Sequence, residues 1–336
     1  MAHIPSMPDW MSRPLRPMLA MLARAPFDSP EWSFELKWDG VRVIAFVQGS
    51  QVRLQSRNLK DVSNQYVEMA ALGPLVRARE AILDGEVVSL REGKPSFELL
   101  QTRMQVAHPS ARLLQSAPVE GVFFDLLYLD GEPLVSLPLV ERQARLFSVL
   151  SESPAIHHTQ VVDTYGVAFF AAVRRMGLEG IVGKHKSSPY QVGRRSPTWQ
   201  KIKAVSTQYC VVGGYTLGTG AIAGLLGALR LGVYEGSSLR YAGKVGTGFT
   251  DHQRREILEL LRPLRTSRSP FVPDPRIRDL IFVEPQYVVE VTYLEWTREG
   301  KLRHASFRGF RPDLAPSDCV REDIAQAVAP GSTAVA

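Results

Sequence analysis

The segment Lys37-Trp38-Asp39-Gly40 could supply a nucleophile for attack on phosphorus. The pattern predicts the lysine at the end of a strand and the glycine in the tight turn that follows, so that the amine projects beside the turn backbone. An amine attacks only when it is unprotonated, so its pKa must fall from about 10.4 toward neutrality through burial or neighbouring cations. Lys201 and Lys203 are the candidate cations. Because an ordinary surface hairpin could carry the same four residues, the assignment depends on other segments.

Polar and aromatic residues of suitable kinds follow in chain order. An arginine suited to a phosphate or ribose ends the strand at Ser56-Arg57-Asn58, Leu83-Asp84-Gly85-Glu86 places a carboxylate on a strand, and Phe124-Asp125 offers an aromatic face for a base. Glu179 adds a second carboxylate, and the paired lysines 201 and 203 alternate along a strand and so point to one face. Taken singly, each of these residues has an ordinary structural explanation, in the core or on the surface. Their joint order indicates one site.

These segments resemble the family motifs of the covalent nucleotidyltransferases, which appear here as KWDG, SRN, LDGE, FFDLLYLDGE, EGIVGK and WQKIK. The resemblance covers nearly the whole chain. Within that superfamily the sequence resembles in particular the compact bacterial ATP-dependent DNA ligases, namely stand-alone ligase C and the ligase module of end-joining ligase D, through VVGGYTLGTG and LRYAGKVGTGF. The resemblance implies an enzyme of DNA repair that seals 5′-phosphate/3′-hydroxyl nicks in duplex DNA through a covalent lysyl-AMP and then AMP-DNA.

The resemblance also implies a role for each site residue. Lys37 would attack the α-phosphate of ATP and release pyrophosphate, while Lys201 and Lys203 would offset the charge that builds on the phosphate oxygens. Glu35 would lie beside the adenine, and Phe124 would stack on its ring. The ribose and phosphates would be engaged by Arg42, Arg57 and Glu86.

The same resemblance predicts a divalent metal beside the nucleotide. Glu179, together with Glu86, would help to position it. Mg²⁺ prefers oxygen ligands and keeps several waters, so carboxylates that act partly through water suit it, and Mn²⁺ is the expected substitute. Structural zinc is not expected, because Cys210 and Cys319 are the only cysteines.

A last basic motif is expected on the second domain. In the family it begins Arg-x-Pro, closes Arg-x-Asp-Lys and touches the pyrophosphate of ATP. The corresponding residues here are Arg303, Arg308, Arg311 and Asp313. Two positions depart from the pattern, because Ala305 replaces the proline and Leu314 replaces the closing lysine. The missing charge predicts a weaker hold on pyrophosphate, for which Lys301 or Arg308 could compensate, and an unchanged rate of enzyme-AMP formation in Leu314→Lys would show the departure to be harmless.

The residues alone are also compatible with other functions. An RNA ligase or an mRNA-capping guanylyltransferase would share the Lys37 chemistry, and the choice of ATP or GTP and of a DNA or RNA 3′ side separates them. An NAD-dependent ligase needs an extra N-terminal domain and a cysteine-bound zinc. A non-catalytic OB-type nucleic-acid binder with a decayed nucleotide site would acquire no covalent AMP, and Ala305 and Leu314 give that alternative its weight.

The elements that position these residues follow from periodicity and turn signals. The stretch from Phe34 to Ser56 predicts a meander of three strands within a mixed α+β adenylation domain of antiparallel sheets, residues 1–205. A glycine-rich run of short strands, a helix from Asp251 to Leu261 with Thr250 as N-cap, and a strand from Tyr287 to Trp296 predict a small OB-fold β-barrel domain, residues 206–326. Residues 327–336 are expected to be a flexible tail, and a hinge for domain movement is expected near residue 205.

The charge and hydropathy of the chain limit the kinds of partner that it could bind. The formal charge of +6 suits a polyanion, and residues 184–203 hold six Lys or Arg and no acid. No apolar stretch approaches the roughly 20 residues of a membrane span, and the N-terminus lacks the apolar core of a signal peptide. We therefore expect a cytoplasmic protein with no membrane contact. The resemblance to the DNA ligases further implies a monomer that binds nicked double-stranded DNA, with a repair polymerase as a candidate protein partner.

Overall fold

The computed structural model describes residues 10–104 and 106–321. These residues form two compact units, which divide between Ala204 and Val205. The expected tail at 327–336 lies outside the described residues, as does the end of the predicted OB domain from 322 to 326.

The first unit combines strands and short helices. Its strands are β1 (Leu19–Leu22), β2 (Trp32–Leu36), β3 (Val41–Gln48), β4 (Gln51–Ser56), β5 (Glu80–Val88), β6 (Leu90–Arg91), β7 (Lys94–Pro95), β8 (Glu120–Leu129), β9 (Glu132–Pro133), β10 (Ile156–His158), β11 (Val162–Asp163), β12 (Gly180–His185) and β13 (Arg195–Lys203). Its α-helices are α1 (Leu72–Leu75), α2 (Phe97–Met104), α3 (Ala111–Ser116), α4 (Leu139–Val149) and α5 (Gly166–Arg175).

Two sheets build this unit. The first has the order β1-β13-β12-β2-β11, and the second has the order β10-β8-β5-β3-β4 with β9 beside β8. Pairing is antiparallel except at two edges, where β1 runs parallel to β13 and β10 runs parallel to β8. Apolar side chains of both sheets share one core cluster, in which Phe124 and Ile44 of the second sheet meet Trp199 of the first. The predicted α+β class with antiparallel sheets is confirmed.

The predicted three-strand meander is wrong in its pairing. Strands β3 and β4 do form a hairpin, but β2 lies in the other sheet, between β12 and β11. Residues 37–40 therefore cross from one sheet to the other, and a Cβ at Gly40 would lie 2.3 Å from the Val87 carbonyl oxygen, so only glycine lets the chain pass this close to β5. A turn signal marks the change of direction but does not identify the partner strand.

The second unit is a β-structure with one α-helix, α6 (Asp251–Leu261). Thr250 caps α6 through a capping box with Gln253, as predicted. Its strands are β14 (Thr207–Leu217), β15 (Leu226–Glu235), β16 (Ser238–Val245), β17 (Arg265–Thr266), β18 (Ile281–Val283), β19 (Val288–Thr292), β20 (Glu295–Trp296), β21 (Leu302–Arg303) and β22 (Ser306–Phe310).

The pairing in this unit is that of an OB fold. Strand β14 pairs with β15 and β19, β15 pairs with β16, and β19 pairs with β22. Strands β16 and β22 stand at the two ends of this order. Among the described residues a single parallel bridge, from Thr247 just after β16 to Ser306 of β22, closes the gap between them, so the barrel is partly open. The strand predicted over 287–296 is divided, because the Tyr293 amide bonds to Ser206 and β20 pairs separately with β21.

Candidate active site

Lys37 follows directly on β2 and contacts one acidic side chain. Its backbone amide donates to the Gly180 carbonyl over 2.9 Å, which ties it to the start of β12. Its Nζ lies 2.5 Å from Oε1 of Glu179, the residue before that strand, and the two side chains are 18% and 6% exposed. Two residues that the sequence places 142 positions apart are thus held together by one strand pairing. A carboxylate at this distance favours the charged form of an amine.

Lys201 and Lys203 lie on one face of the sheet formed by β2, β12 and β13. Lys201 pairs with Val182, which pairs in turn with Glu35, while Lys203 pairs with Gly180. Side chains in one row of a sheet share a face, and a row spanning three strands places its ends about 10 Å apart. The row that holds Lys203 passes through Gly180, which carries no side chain. At Gly180, φ is +147° and a Cβ would lie 2.1 Å from the Ile202 carbonyl oxygen.

Glu35 is anchored inside the protein. Its Oε2 lies 2.7 Å from the Lys184 Nζ, and its Oε1 accepts a 2.7 Å hydrogen bond from the Gln143 side chain, which also donates to the Phe124 carbonyl. Burial raises the pKa of Glu35 and lowers the pKa of Lys184, and their mutual attraction counteracts both shifts. The sequence predicted Glu35 beside adenine, but both its oxygens bind protein donors in this structure. Neither Lys184 nor Gln143 was predicted, although Lys184 ends the EGIVGK segment.

Phe124 lies between charged groups in the shared core. Its ring is 6% exposed. The Lys184 Nζ lies 4.3 Å and the Arg42 Cζ 4.4 Å from the ring centroid, and Trp199 meets the ring edge-on. Arg42 donates to buried Asp84 from Nε over 2.5 Å and from Nη2 over 2.6 Å, and its side chain keeps 22% exposure. Of the two cations that contact Phe124, the residue predicted to stack on the base, Arg42 is therefore more accessible than Lys184.

The other predicted residues of the first unit lie around the crossing of residues 37–40. Glu86 on β5 is directly opposite Arg42 on β3, and its Cγ would lie 2.8 Å from a Cβ at Gly40. Arg57 is half-buried in the turn that follows β4. The structure thus brings Glu86 to the crossing segment, whereas Arg57 stands at the end of the adjacent hairpin.

The acidic side chains suit a metal that binds with its substrate. Within the described residues, no three His, Cys, Asp or Glu side chains cluster as a metal site. Glu86 and Glu179 could each offer an oxygen ligand, and Mg²⁺ typically uses one or two carboxylates with water and nucleotide phosphates. The donor set fits Mg²⁺ of this kind.

All the arginines of the basic motif in the OB domain pair with acidic side chains of the same domain. Arg311 is buried and donates to Asp313 over 2.9 and 2.7 Å, and it lies 3.3 Å from Glu290. Arg308 also pairs with Glu290, and Arg303 pairs with Glu295 on the surface. The Arg311–Asp313 pair therefore holds the chain after β22 in place, and the solvent-reaching members of the motif are Arg303 and Arg308.

Leu314, which stands where the family motif has lysine, is buried in the OB domain. Its side chain is 6% exposed and packs in an apolar cluster with Val211, Leu239, Phe271 and Val288. Ala305 also packs against the main core of the OB domain. Substituting Leu314 by lysine would consequently perturb packing as well as charge.

A basic cleft opens on the β15–β16 face of the OB domain. Its volume is about 1110 Å³. OB folds bind oligonucleotides on their strands 2 and 3 and at the loop between strands 4 and 5. Here those strands are β15 and β16, and the loop joins β19 to β22. Residues of all these elements line the cleft. Its lining holds the basic residues Arg230, Arg240, Lys244, Lys301 and His304, and also Glu235 and Glu299, which pair with Arg240 and Lys301.

The fold and site define a covalent nucleotidyltransferase domain followed by an OB domain. Residues 17–203 match the ATP dependent DNA ligase domain, and residues 223–314 match the ATP dependent DNA ligase C terminal region. The chain therefore belongs to the ATP-dependent DNA ligase family, and the predicted ATP dependence is confirmed at the level of the family.

Individual relatives agree with this assignment. The chain is 38% identical over 313 residues to the multifunctional non-homologous end joining DNA repair protein LigD of Mycobacterium tuberculosis, with 92% of this chain and 40% of that protein covered. A DNA ligase of Thermococcus onnurineus is 32% identical over 329 residues, with 92% and 57% covered. The chain thus spans about two fifths of the length of the LigD proteins it matches.

A solved structure shows the same fold. Mycobacterial DNA ligase D complexed with ATP and MES is 36% identical, and the match covers 91% of this chain and 98% of that chain with a TM-score of 0.63. Of the helices in the described part of the chain, none has the length and apolar character needed to cross a membrane.

We expect Leu314→Lys to lower the free energy of unfolding by about 2–4 kcal/mol, because it places an ammonium group in an apolar cluster. It should not raise the rate of enzyme-AMP formation. Leu294→Lys is the matched control, since Leu294 is 63% exposed and should change stability by less than about 0.5 kcal/mol. Urea unfolding followed by circular dichroism measures both. Equal stability of the two variants would contradict the placement of Leu314 in the core.

Proposed function

We propose that this chain seals nicks in duplex DNA in three successive substitutions at phosphorus. In the first, the Lys37 amine forms a bond to the α-phosphorus of ATP and pyrophosphate leaves. In the second, an oxygen of the DNA 5′-phosphate displaces the lysine nitrogen and takes the AMP. In the third, the 3′-hydroxyl attacks the 5′-phosphorus and AMP leaves. The observation that carries the proposal is the position of Lys37 beside Glu179, on the sheet whose strand β13 also presents Lys201 and Lys203.

Each side chain has a task that its surroundings support. Lys201 and Lys203 offset the negative charge that builds on the α-phosphate oxygens, across the side-chain-free position at Gly180. Glu179 and Glu86 would hold Mg²⁺, which supplies charge neutralisation to the nucleotide phosphates when it is bound. The contact of Glu179 with the Lys37 amine also places this carboxylate beside the nucleophile.

The base would lie against Phe124. Because the Arg42 side chain keeps partial exposure beside this ring while Lys184 is buried, Arg42 is the cation that faces the nucleotide. Glu35 would act through its position on β2 and its bonds to Lys184 and Gln143, which fix the wall of the base site. Arg57, at the end of the β4 hairpin, would engage ribose or phosphate. In the OB domain, Arg303 and Arg308 would approach the pyrophosphate.

The biological setting is also part of the proposal. The LigD relatives are named for non-homologous end joining, and we place the sealing activity of this chain in DNA end-joining repair. A repair polymerase would prepare the ends, and the chain would act as a cytoplasmic monomer on nicked duplex.

Labelled nucleotides test the central reaction. With Mg²⁺ and α-labelled ATP, the wild-type chain should acquire a covalent label that a nicked DNA duplex then removes, with formation of a sealed strand. Lys37→Ala should acquire none, because it lacks the nucleophile. Labelling by GTP in preference to ATP would point to a capping-type enzyme, and sealing only at an RNA 3′ side would point to an RNA ligase. A wild-type chain without any label would contradict the proposal and favour a non-catalytic binder.

The OB cleft should carry part of the affinity for DNA. In the double variant Arg230→Ala/Lys244→Ala, binding to a nicked duplex should weaken. The slope of the logarithm of the binding constant against the logarithm of the salt concentration should become about two units shallower, because about two phosphate contacts are lost.

Arg255→Ala/Arg262→Ala is the matched control, since these arginines lie on α6 and just after it and do not line the cleft. Fluorescence anisotropy at several salt concentrations measures the slope. Equal slopes for the two double variants would exclude the cleft as a phosphate-binding surface.

A further inference from the structure

A buried tyrosine stands behind the arginine of the nucleotide site. Tyr190 lies in the segment between β12 and β13, is 3% exposed, and meets Trp199 edge-on with ring centroids 5.8 Å apart. Its hydroxyl accepts a 2.9 Å hydrogen bond from the Met18 amide and donates a 2.6 Å hydrogen bond to Oδ2 of Asp84. One oxygen atom therefore joins the N-terminal segment, the β12–β13 connection and β5.

The direction of these hydrogen bonds is fixed by chemistry. A backbone amide can only donate, so the Tyr190 oxygen accepts from Met18 and its single hydrogen remains for the carboxylate of Asp84. Burial, followed by the negative charge of Asp84, raises the pKa of Tyr190 well above 10, and the phenol therefore keeps this hydrogen. The hydroxyl behaves as a constant donor.

Asp84 passes this constraint on to Arg42. The carboxylate is fully buried, and its donors include the Tyr190 hydroxyl together with Nε and Nη2 of Arg42, which bind side by side. A paired fork of this kind fixes both the position and the plane of a guanidinium. The Arg42 guanidinium in turn lies over Phe124, where its Cζ is 4.4 Å from the ring centroid.

Arg42 keeps hydrogen-bonding capacity for a ligand. A guanidinium has five N–H groups, and the fork to Asp84 uses one on Nε and one on Nη2. The fork leaves three N–H hydrogens, two on Nη1 and one on Nη2, and the side chain as a whole is 22% exposed beside Phe124. The accuracy with which they meet a nucleotide depends on how firmly Asp84 is held.

We infer that Tyr190 is a positioning residue for the nucleotide: its hydroxyl holds Asp84, and Asp84 holds Arg42 in the plane that receives ATP. The inference rests on the proposed function, because it names a determinant of ATP affinity at the same site. Tyr190 itself does not touch the nucleotide in this account.

The test compares Tyr190→Phe with wild type over a range of ATP concentrations, with single-turnover formation of enzyme-AMP as the readout. The apparent KM for ATP should rise about tenfold, as expected for loss of a hydrogen bond to a charged group, while the rate at saturating ATP stays within about twofold. Tyr128→Phe is the matched control, since Tyr128 is similarly buried and its hydroxyl binds Glu80 away from this network. Its KM should equal that of wild type.

A double-mutant cycle separates positioning from general destabilisation. Arg42→Lys keeps the charge but loses the paired fork, so adding Tyr190→Phe in that background should change KM by less than about twofold. An unchanged KM in Tyr190→Phe, an equal rise in Tyr128→Phe, or a full tenfold rise in the Arg42→Lys background would each overturn the inference.

The same experiment distinguishes the inference from the proposed function. If wild type forms enzyme-AMP and Tyr190→Phe shows no change in KM, only the inference fails. If wild type forms no enzyme-AMP, the proposed function fails, and titration calorimetry with ATP still decides whether Tyr190→Phe weakens binding about tenfold. Equal calorimetric affinities would then overturn the inference as well.

Discussion

The antiparallel pairing of β2, β12 and β13 is the constraint on which the site depends. Lys37 follows β2, Glu179 precedes β12, and Lys201 and Lys203 lie on β13, so their proximity follows from backbone registration. A register slip of one residue would turn every side chain of a strand to the opposite face. Gly180 permits this registration because its backbone conformation and its contact with Ile202 exclude a side chain. The chemistry therefore depends first on a ladder of main-chain hydrogen bonds.

Behind this ladder the protein holds several charges away from water. Glu35 binds Lys184 and Gln143, Asp84 binds Arg42, and a fully buried Asp125 binds Arg142 on α4 through two hydrogen bonds of 2.8 Å. Buried pairs of this type contribute little to stability overall, since desolvation offsets much of their attraction, but removal of one partner is costly. Their arrangement around Phe124 suggests that they are kept for geometry. Arg42 and Lys184, each held by an acidic partner, fix the surroundings of the Phe124 ring.

The parts of the structure that local sequence determines were predictable. The segment Leu83-Asp84-Gly85-Glu86 was placed on a strand, which is β5, and the Thr250 cap located the start of α6, because each signal lies within a few neighbouring residues. The site residues could be assembled only through their resemblance to family motifs, and the contact of Lys37 with Glu179 is a product of strand order that no local pattern encodes.

What escaped prediction depends on distant partners. The separation of β2 from β3 into different sheets, the burial of Leu314 and the link from Tyr190 to Arg42 all join segments remote in sequence. Gln143 gave no signal because a polar residue on a helix usually faces solvent. Glu35 was predicted to lie beside the adenine, and its buried bonds to Lys184 and Gln143 could not be predicted because both partners are remote in sequence.

The most direct measurement is to map the attached AMP by tandem mass spectrometry after incubation with ATP and Mg²⁺ in the absence of DNA. Lys37 lies near the paired lysines of β13, and the account predicts that AMP is found on Lys37 and not on Lys201 or Lys203. Adduct on either lysine of β13 would contradict the account, because the amine beside Glu179 would then not be the nucleophile.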